Sequence, residues 1–420
     1  EIIEIGKKAA LPYYPLFKAL ADSLNKIEAR EFKLNRLPKN EGIIIEDVII
    51  TGNKHTSATY IKSKLSLLKG LKYNGKEIGT QIRSLFGSNL FTRINYFLEP
   101  TGEGKANLLI RVIEKPLQYI KTAIHYHSFS DLAVILNYSH RNLFFDRTNA
   151  LLKINIGENF RTKAEYRFSF GKEDDNIIAA KFYHESFRYP FYEEFDQKAD
   201  YRSRFTNFGL EYQKNINHEA AIKLGYRIIN FSLIPKVTPL VSYDLRNNHN
   251  GFYFQYQFNT LNRQVFPTSG FDITAGLEHY FNQNISLKTN LNDSIRLDQD
   301  ILARPYQQFQ LKIMGYENAD KITYIIGAQI GIMFNESNNY FNPFFVGGGI
   351  DFLRNQITFA GLGEYELRTN SIITSLFGMR YELSKNLFIN GKINVGYYDF
   401  GLVPNLEPKF LSGYLCSMGY

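Results

Sequence analysis

Few residues of this chain have the type and spacing to do covalent chemistry. Cys416 is the single thiol, so no internal disulfide can form and the redox compartment stays open. The eight histidines show no spacing suited to a metal and read as ordinary surface or lumen positions. No Gly-x-Ser-x-Gly nucleophile elbow occurs in the 420 residues, so a serine hydrolase has no site here. No catalytic residue, metal or cofactor is assigned. What the chain does carry is charge in strict alternation with apolar residues. Lys163, Glu165, Arg167 and Ser169 fall on one face of an extended segment, and Ala164, Tyr166, Phe168 and Phe170 on the other. One such face suits water and the other suits lipid.

That pattern recurs after about residue 117 in segments of about ten residues, each ended by a turn. Phe252, Phe254, Tyr256 and Phe258 repeat it. So do Phe309, Leu311 and Ile313 against Gln308, Gln310 and Lys312, and Leu387, Ile389, Ile393 and Val395 against Asn390, Lys392 and Asn394. No run approaches the ~18 to 20 apolar residues that a membrane helix needs. A soluble β-sandwich also alternates, but its strands are usually ~5 to 6 residues long. The expectation is a mainly β chain built around an antiparallel transmembrane β-barrel. With 29 Tyr, 35 Phe and no Trp, its interfacial girdles must be made of Tyr and Phe.

Charge is placed unevenly. Residues 1–116 hold 19 Lys and Arg against 12 Asp and Glu, and the remainder 30 against 29. The basic excess therefore lies outside the barrel, where it suits an anionic membrane surface or a solvated face. Basic residues interleaved with stacking aromatics are lacking, so nucleic acid is not an expected partner.

Residues 41–116 read as a small α/β domain. Ile43 to Ile50 is strand-like and ends in a Thr51-Gly52-Asn53 turn. Thr56 is placed to cap a helix carrying Tyr60, Ile61, Leu65 and Leu68, and a second helix carries Ile78, Ile82, Leu85 and Phe86. Strands follow near Asn95 to Glu99 and Leu108 to Glu114. This order, with Gly52-Asn53, Thr56, Tyr60, Ile61, Gly70, Tyr73, Leu90-Phe91, Val112 and Glu114, resembles a POTRA domain. POTRA domains precede the barrels of the bacterial surface antigen superfamily, which includes the assembly factor BamA, the TamA type and two-partner secretion transporters. Within the barrel, Asn142-Leu143-Phe144 and Phe266-Pro267-Thr268-Ser269-Gly270 resemble turns of the same family.

Strands are predicted at 119–128, 131–142, 147–158, 162–171, 176–186, 199–214, 218–233, 250–260, 268–282, 305–318, 321–335, 370–383, 386–399 and 410–420. Short turns then lie on the periplasmic side, and long connections at 234–249, 283–304 and 336–369 lie outside. The resemblance implies sixteen strands, against about fourteen in residues 117–420, so two more are expected beyond Tyr420. It also implies a functional sixth external loop that folds into the lumen with a Gly-Gly and then a Val-Arg-Gly-Phe or Tyr motif. Gly347, Gly348, Phe359 and Gly361 match that pattern, but Ala360 stands where the arginine should be. Alanine cannot make that arginine's charge-assisted pairing, which puts a protein-insertion activity in question, and Arg354 is the nearby substitute.

Residues 1–40 are expected to be a helical linker. Ile2-Ile3-Glu4-Ile5-Gly6-Lys7-Lys8-Ala9-Ala10, followed by Leu16, Leu20 and Leu24, resembles the end of a patatin-like phospholipase domain. The chain would then be a fragment of a bacterial outer-membrane fusion whose barrel anchors or translocates an upstream lipid acyl hydrolase. The alternative is a non-enzymatic assembly or secretion factor. Expected partners are outer-membrane lipids and lipopolysaccharide, a polypeptide client on the edge strand of the POTRA domain, and a second copy of the chain. The POTRA domain and N-terminus would lie in the periplasm.

Overall fold

A computed structural model of the chain describes residues 2–27, 42–65, 67–88, 90–129, 131–171, 174–193, 195–237, 243–289, 304–335, 342–351, 353–384, 387–400 and 408–419. The chain divides into two compact units, Glu1–Lys115 and Pro116–Tyr420.

The first unit opens with helices α1 (Ile2–Ala10) and α2 (Tyr14–Ile27), joined by a single 3-10 turn with Pro12 at its start. Their described side chains, residues 4–27, are all exposed, including Leu16, Phe17, Leu20 and Leu24. The remainder of the linker lies outside the described residues. The α/β domain follows as β1 (Ile43–Thr51), α3 (Ala58–Leu65), β2 (Lys72–Tyr73), α4 (Gly75–Gly87), β3 (Phe91–Gly102) and β4 (Lys105–Glu114). The sheet order is β2-β1-β4-β3, with β1 parallel to β4 and the other pairs antiparallel. Alternation along β4 sends Ala106, Leu108, Ile110 and Val112 to one face, where they meet Ile61 and Leu65 of α3 and Ile78, Ile82 and Leu85 of α4. Each of the Val, Leu and Ile side chains among them contributes about 1.5 to 3 kcal/mol on full burial.

Local signals start the helices. Asn74 and Glu77 form a reciprocal capping box on α4, at 2.9 and 2.8 Å. On α3 the cap is Ser57, whose Oγ accepts from the Tyr60 amide at 3.2 Å, and not the expected Thr56. Thr56 is drawn away because its own amide donates to Glu114 at 2.8 Å. Leu68 and Phe86, expected on the buried faces, are exposed, since α3 ends at Leu65 and α4 at its last turn rolls Phe86 outward.

The second unit is one antiparallel sheet of fourteen strands. They are β5 (Gln118–His127), β6 (Asp131–Arg141), β7 (Thr148–Gly157), β8 (Phe160–Phe170), β9 (Asn176–Glu193), β10 (Asp196–Asn215), β11 (Ala220–Val237), β12 (Tyr243–Asn259), β13 (Gly270–Thr289), β14 (Tyr306–Ala319), β15 (Ile322–Phe334), β19 (Ser371–Ser384), β20 (Leu387–Tyr398) and β21 (Lys409–Gly419). Between β15 and β19 lie three short strands, β16 (Phe344–Val346), β17 (Gln356–Ile357) and β18 (Leu367–Thr369), in a sheet of their own. Each barrel strand pairs with the next in sequence, β15 with β19, and β5 and β21 are the two ends.

All fourteen predicted strands are present. The correction is in length: β9 to β13 run 17 to 20 residues, so residues 234–237, 243–249 and 283–289 of the expected long connections are strand. Burial follows the alternation. On β20, Ile389, Ile393, Val395 and Tyr397 face outward, while Phe388, Asn390, Asn394 and Tyr398 are buried inside. The outward face is the lipid face of a transmembrane strand. Among the described residues no helix is long and apolar enough to cross a membrane. Tyr420 and any strand beyond it lie outside the described residues.

Candidate functional site

The connection between β15 and β19 folds back into the lumen. Phe344, Phe345, Val346, Ile357, Phe359 and Tyr365 are buried in one cluster with inward side chains of the wall, among them Tyr189 of β9, Phe205 of β10, Phe231 of β11 and Tyr398 of β20. Tyr365 packs edge-on against Phe345 at 4.6 Å and Tyr189 at 5.1 Å between ring centroids. The loop is held by burial of its own aromatics against these apolar patches of the inner wall.

The two halves of the glycine pattern meet here. The Phe359 amide donates to the Gly348 carbonyl at 3.2 Å, the Gly348 amide to Leu362 at 2.9 Å, and the Gly347 amide to Ile357 at 3.0 Å. Gly347 has φ +133°, and a Cβ there would stand 2.0 Å from the Gly363 carbonyl oxygen, so no larger residue fits. Gly361 has φ +90° and lies against Gly413 of β21. The loop tip is bonded to the wall at both ends of the segment. Gln329 of β15 donates to the Thr358 hydroxyl at 2.9 Å, and the Ala360 amide donates to Asn394 of β20 at 3.0 Å.

Ala360 brings no charge to the wall. The ion pair comes from Arg354, whose Nε lies 3.6 Å from Glu185 Oε1 on β9 and whose Nη1 donates to Asn342. Its guanidinium stacks 4.2 Å from the Phe205 ring centroid. Glu185 also takes the Tyr183 hydroxyl at 2.5 Å and faces Arg161 at 3.8 Å. Further bridges join Lys312 of β14 to Asp351 at 2.6 Å and His127 of β5 to Glu364 at 3.5 Å. The loop is thus tied to walls from β5 through β21.

Beside the loop lies a polar cavity of about 550 Å³, lined by Lys181, Glu211, Arg227, Tyr253, Gln308 and Lys312 among others. Several of its charges are paired: Lys181 with Glu211 at 2.5 Å, Arg227 with Glu278, and Tyr253 donates to Glu211 at 2.6 Å. Around the turn from β12 to β13, Arg380 of β19 donates to the Pro267 carbonyl at 2.8 Å and to Asn390 at 3.0 Å. Phe266 stacks on Phe388 at 4.6 Å under the same guanidinium. The Phe266-Pro267 turn is therefore fastened from inside the barrel.

In the first unit, Gly52 has φ +85° and Asn53 donates to the Thr56 carbonyl at 2.9 Å. Glu114, at the end of β4, accepts from the His55 and Thr56 amides at 3.0 and 2.8 Å. Burial pushes the Glu114 carboxyl up, but the bonds from the Thr56 side chain and from those amides outweigh it and hold the group below its ordinary value. Gly52 and Asn53 shape a turn within their own unit.

Sequence reasoning missed Glu185, Gln329, Asn394, Gly396 and Gly413. The glycines carried a signal. Gly396 and Gly413 interrupt inward positions of strands, which marks a close backbone approach, and the Phe359 ring and the Ala360 carbonyl approach there.

A POTRA-like α/β unit and a curled antiparallel sheet whose long loop is folded inside it define a transmembrane β-barrel of the BamA architecture. The sequence signature of the OMP85 superfamily matches residues 106–420, and the chain belongs to that superfamily as an outer-membrane β-barrel. Solved structures share the fold. BamA from Haemophilus ducreyi lacking POTRA domains 1–3 is similar at TM-score 0.57 and 12% identity, over 84% of this chain and 71% of that one. CdiB from Acinetobacter baumannii is similar at TM-score 0.52 and 10% identity, over 90% of this chain and 68% of that one. CdiB from Escherichia coli gives TM-score 0.52 and 10% identity, over 90% and 70%. No curated protein matches the chain by sequence.

Proposed function

We propose that this chain is the membrane portion of a protein that anchors a patatin-like phospholipase domain at the outer membrane or carries it across, with the α/β unit and N-terminus in the periplasm. The observation that carries the reading is the exposed apolar surface of α1 and α2. Leu16, Phe17, Leu20 and Leu24 line a helix with no buried residue, and an amphipathic helix of this kind needs a covering surface. The resemblance of this stretch to a patatin terminus supports a patatin-like domain as that surface. The barrel serves as holder or conduit, and the lumenal loop and its ion pairs keep the path closed at rest.

A second reading has its own support. β1 pairs with β2 at two positions only, Ile43 and Ile44, which leaves most of one edge of β1 without a strand partner among the described residues. A client strand could add there by main-chain hydrogen bonding, as a secretion or assembly factor requires.

The test is the intact mass of the polypeptide isolated from outer membranes, together with hydrolysis of a fluorogenic phospholipid. A mass about 30 kDa above 48.7 kDa, one further domain, with hydrolysis stopped by a serine-directed inhibitor, is the expected result. A mass near 48.7 kDa without hydrolysis would discard the phospholipase reading and leave the secretion factor.

A further inference from the structure

The lengthened strands β9 to β13 carry outward side chains in rows fixed by register. Phe182, Phe208, Ile228, Asn250 and Phe281 form one row. Two residues further along the strands stand His184, Thr206, Asn230, Asn248 and Asn284, and two further still Ser186, Arg204, Ser232, Arg246 and Ser286. The lipid face therefore passes from aromatic, through amide and hydroxyl, to alternating arginine and serine. That order matches hydrocarbon, interface and headgroup.

We propose that the outer wall of β10 to β12 binds a lipid with a phosphorylated sugar headgroup. Its phosphates lie on Arg204 and Arg246, its sugar hydroxyls on the remaining amide groups of the exposed Asn230 and Asn248, whose side chains also bond each other, and an acyl chain runs into the wall below; Ser232, in register between the two arginines, is buried. Among the described residues Arg204 is exposed with no acid paired to it, and Arg246 pairs with Asp244 of its own strand, at 3.2 Å. The two arginines sit in register on strands two apart, about 10 Å between backbones. That spacing suits two phosphates on a sugar scaffold better than one phosphodiester, and the two asparagine amides suit its hydroxyls.

The acyl chain has a place as well. An apolar groove of about 620 Å³ is lined by Leu210, Tyr212, Leu224, Tyr226, Phe254 and Leu277. Leu210 is six residues below Arg204, about 20 Å along the strand and about 15 Å in depth at the ~40° tilt of such barrels. That is half of a ~30 Å hydrocarbon core, the reach of one leaflet. The proposal rests on the orientation given above only for the leaflet, which must be the outer one.

Binding of bisphosphorylated lipid A and of dioleoyl phosphatidylglycerol to the full chain in detergent, followed by native mass spectrometry, tests it. Arg204→Gln and Arg246→Gln should each weaken lipid A binding about tenfold, the weight of one charge-assisted bond, with phosphatidylglycerol unchanged. Heat-modifiable migration on gels shows that the variants are folded. Equal lipid A binding by the wild type and the double variant overturns the site, and parallel loss of both lipids overturns its sugar specificity. Lys236→Cys, at an exposed position four residues further along β11, in a Cys416→Ser background and probed with an impermeant maleimide, reads the orientation separately. Labelling in intact cells supports the outer leaflet, and labelling only after lysis removes outer-leaflet glycolipid as the occupant whatever the affinities.

Discussion

Ala360 lies with its carbonyl pressed against the backbone of Gly413, so closely that a Cβ on Gly413 would stand 1.9 Å from that oxygen. The tip of the lumenal loop and the last described strand are thus fitted main chain to main chain. Gly413→Ala should displace the loop at a cost of about 1 to 3 kcal/mol, the usual penalty of overpacking. Faster protease cleavage within residues 353–363 and a lower gel-shift temperature are expected, and an unchanged cleavage pattern would count against the fit.

The Arg354 and Glu185 pair supplies the charge that the motif position lacks. Removing Arg354 alone leaves Glu185 buried with Arg161 as its remaining cation, so Arg354→Ala should cost toward the lower end of the 3 to 5 kcal/mol range, about 3 kcal/mol. Adding Glu185→Gln should recover part of it. A double-mutant cycle on thermal unfolding reads the coupling, and strictly additive losses would mean that the two groups do not interact.

Arg380 holds the Pro267 carbonyl and caps the Phe266 and Phe388 rings. Arg380→Met keeps much of the stem but leaves that carbonyl without its donor, for an expected loss of about 1 to 3 kcal/mol. Hydrogen exchange should quicken at residues 261–270 first; uniform quickening across the barrel would assign the effect elsewhere.

Glu114 gives the first unit a pH dependence of definite sign. Its carboxyl sits below the ordinary value of 4.5, so its stabilisation is present above that pH and is lost as pH falls through the lower folded value. The amides of His55 and Thr56 should lose exchange protection on acidification below about 4.5 in the wild type. Glu114→Gln should show weak protection of those amides with little further change across that window, and a matching acid transition in the variant would remove Glu114 as its cause.

In the second unit the legible part of the fold was the part in contact with lipid. Segments such as Leu387 to Val395 alternate because one face must be apolar, and their strands lie where the alternation lies. Residues 243–249 read as loop for the converse reason. Leu245, Asn247 and His249 are buried inward, but Asp244, Arg246 and Asn248 point outward above the apolar rows, where no apolar side chain is required. The loop glycines were visible as a pattern. The pairing of Arg354 with Glu185 was not, because nothing local in either segment specifies contact between residues so distant in sequence. Ser57 was passed over as a cap because Thr56 beside it is an equally good candidate until Glu114 engages the Thr56 amide.

The inward loop also constrains the order in which the molecule can be made. Its partners are drawn from strands completed long before it, such as Glu185 on β9, and from strands that follow it, such as Asn394 on β20 and Gly413 on β21. The room left by Gly413 is filled by the backbone at Ala360, so the last strands have their final surface only once the loop is already seated. Contacts this distant in sequence form slowly. The loop is in effect the mandrel on which the end of the sheet is wound, and a chain deprived of it should stall with the amides of β20 and β21 still exchanging.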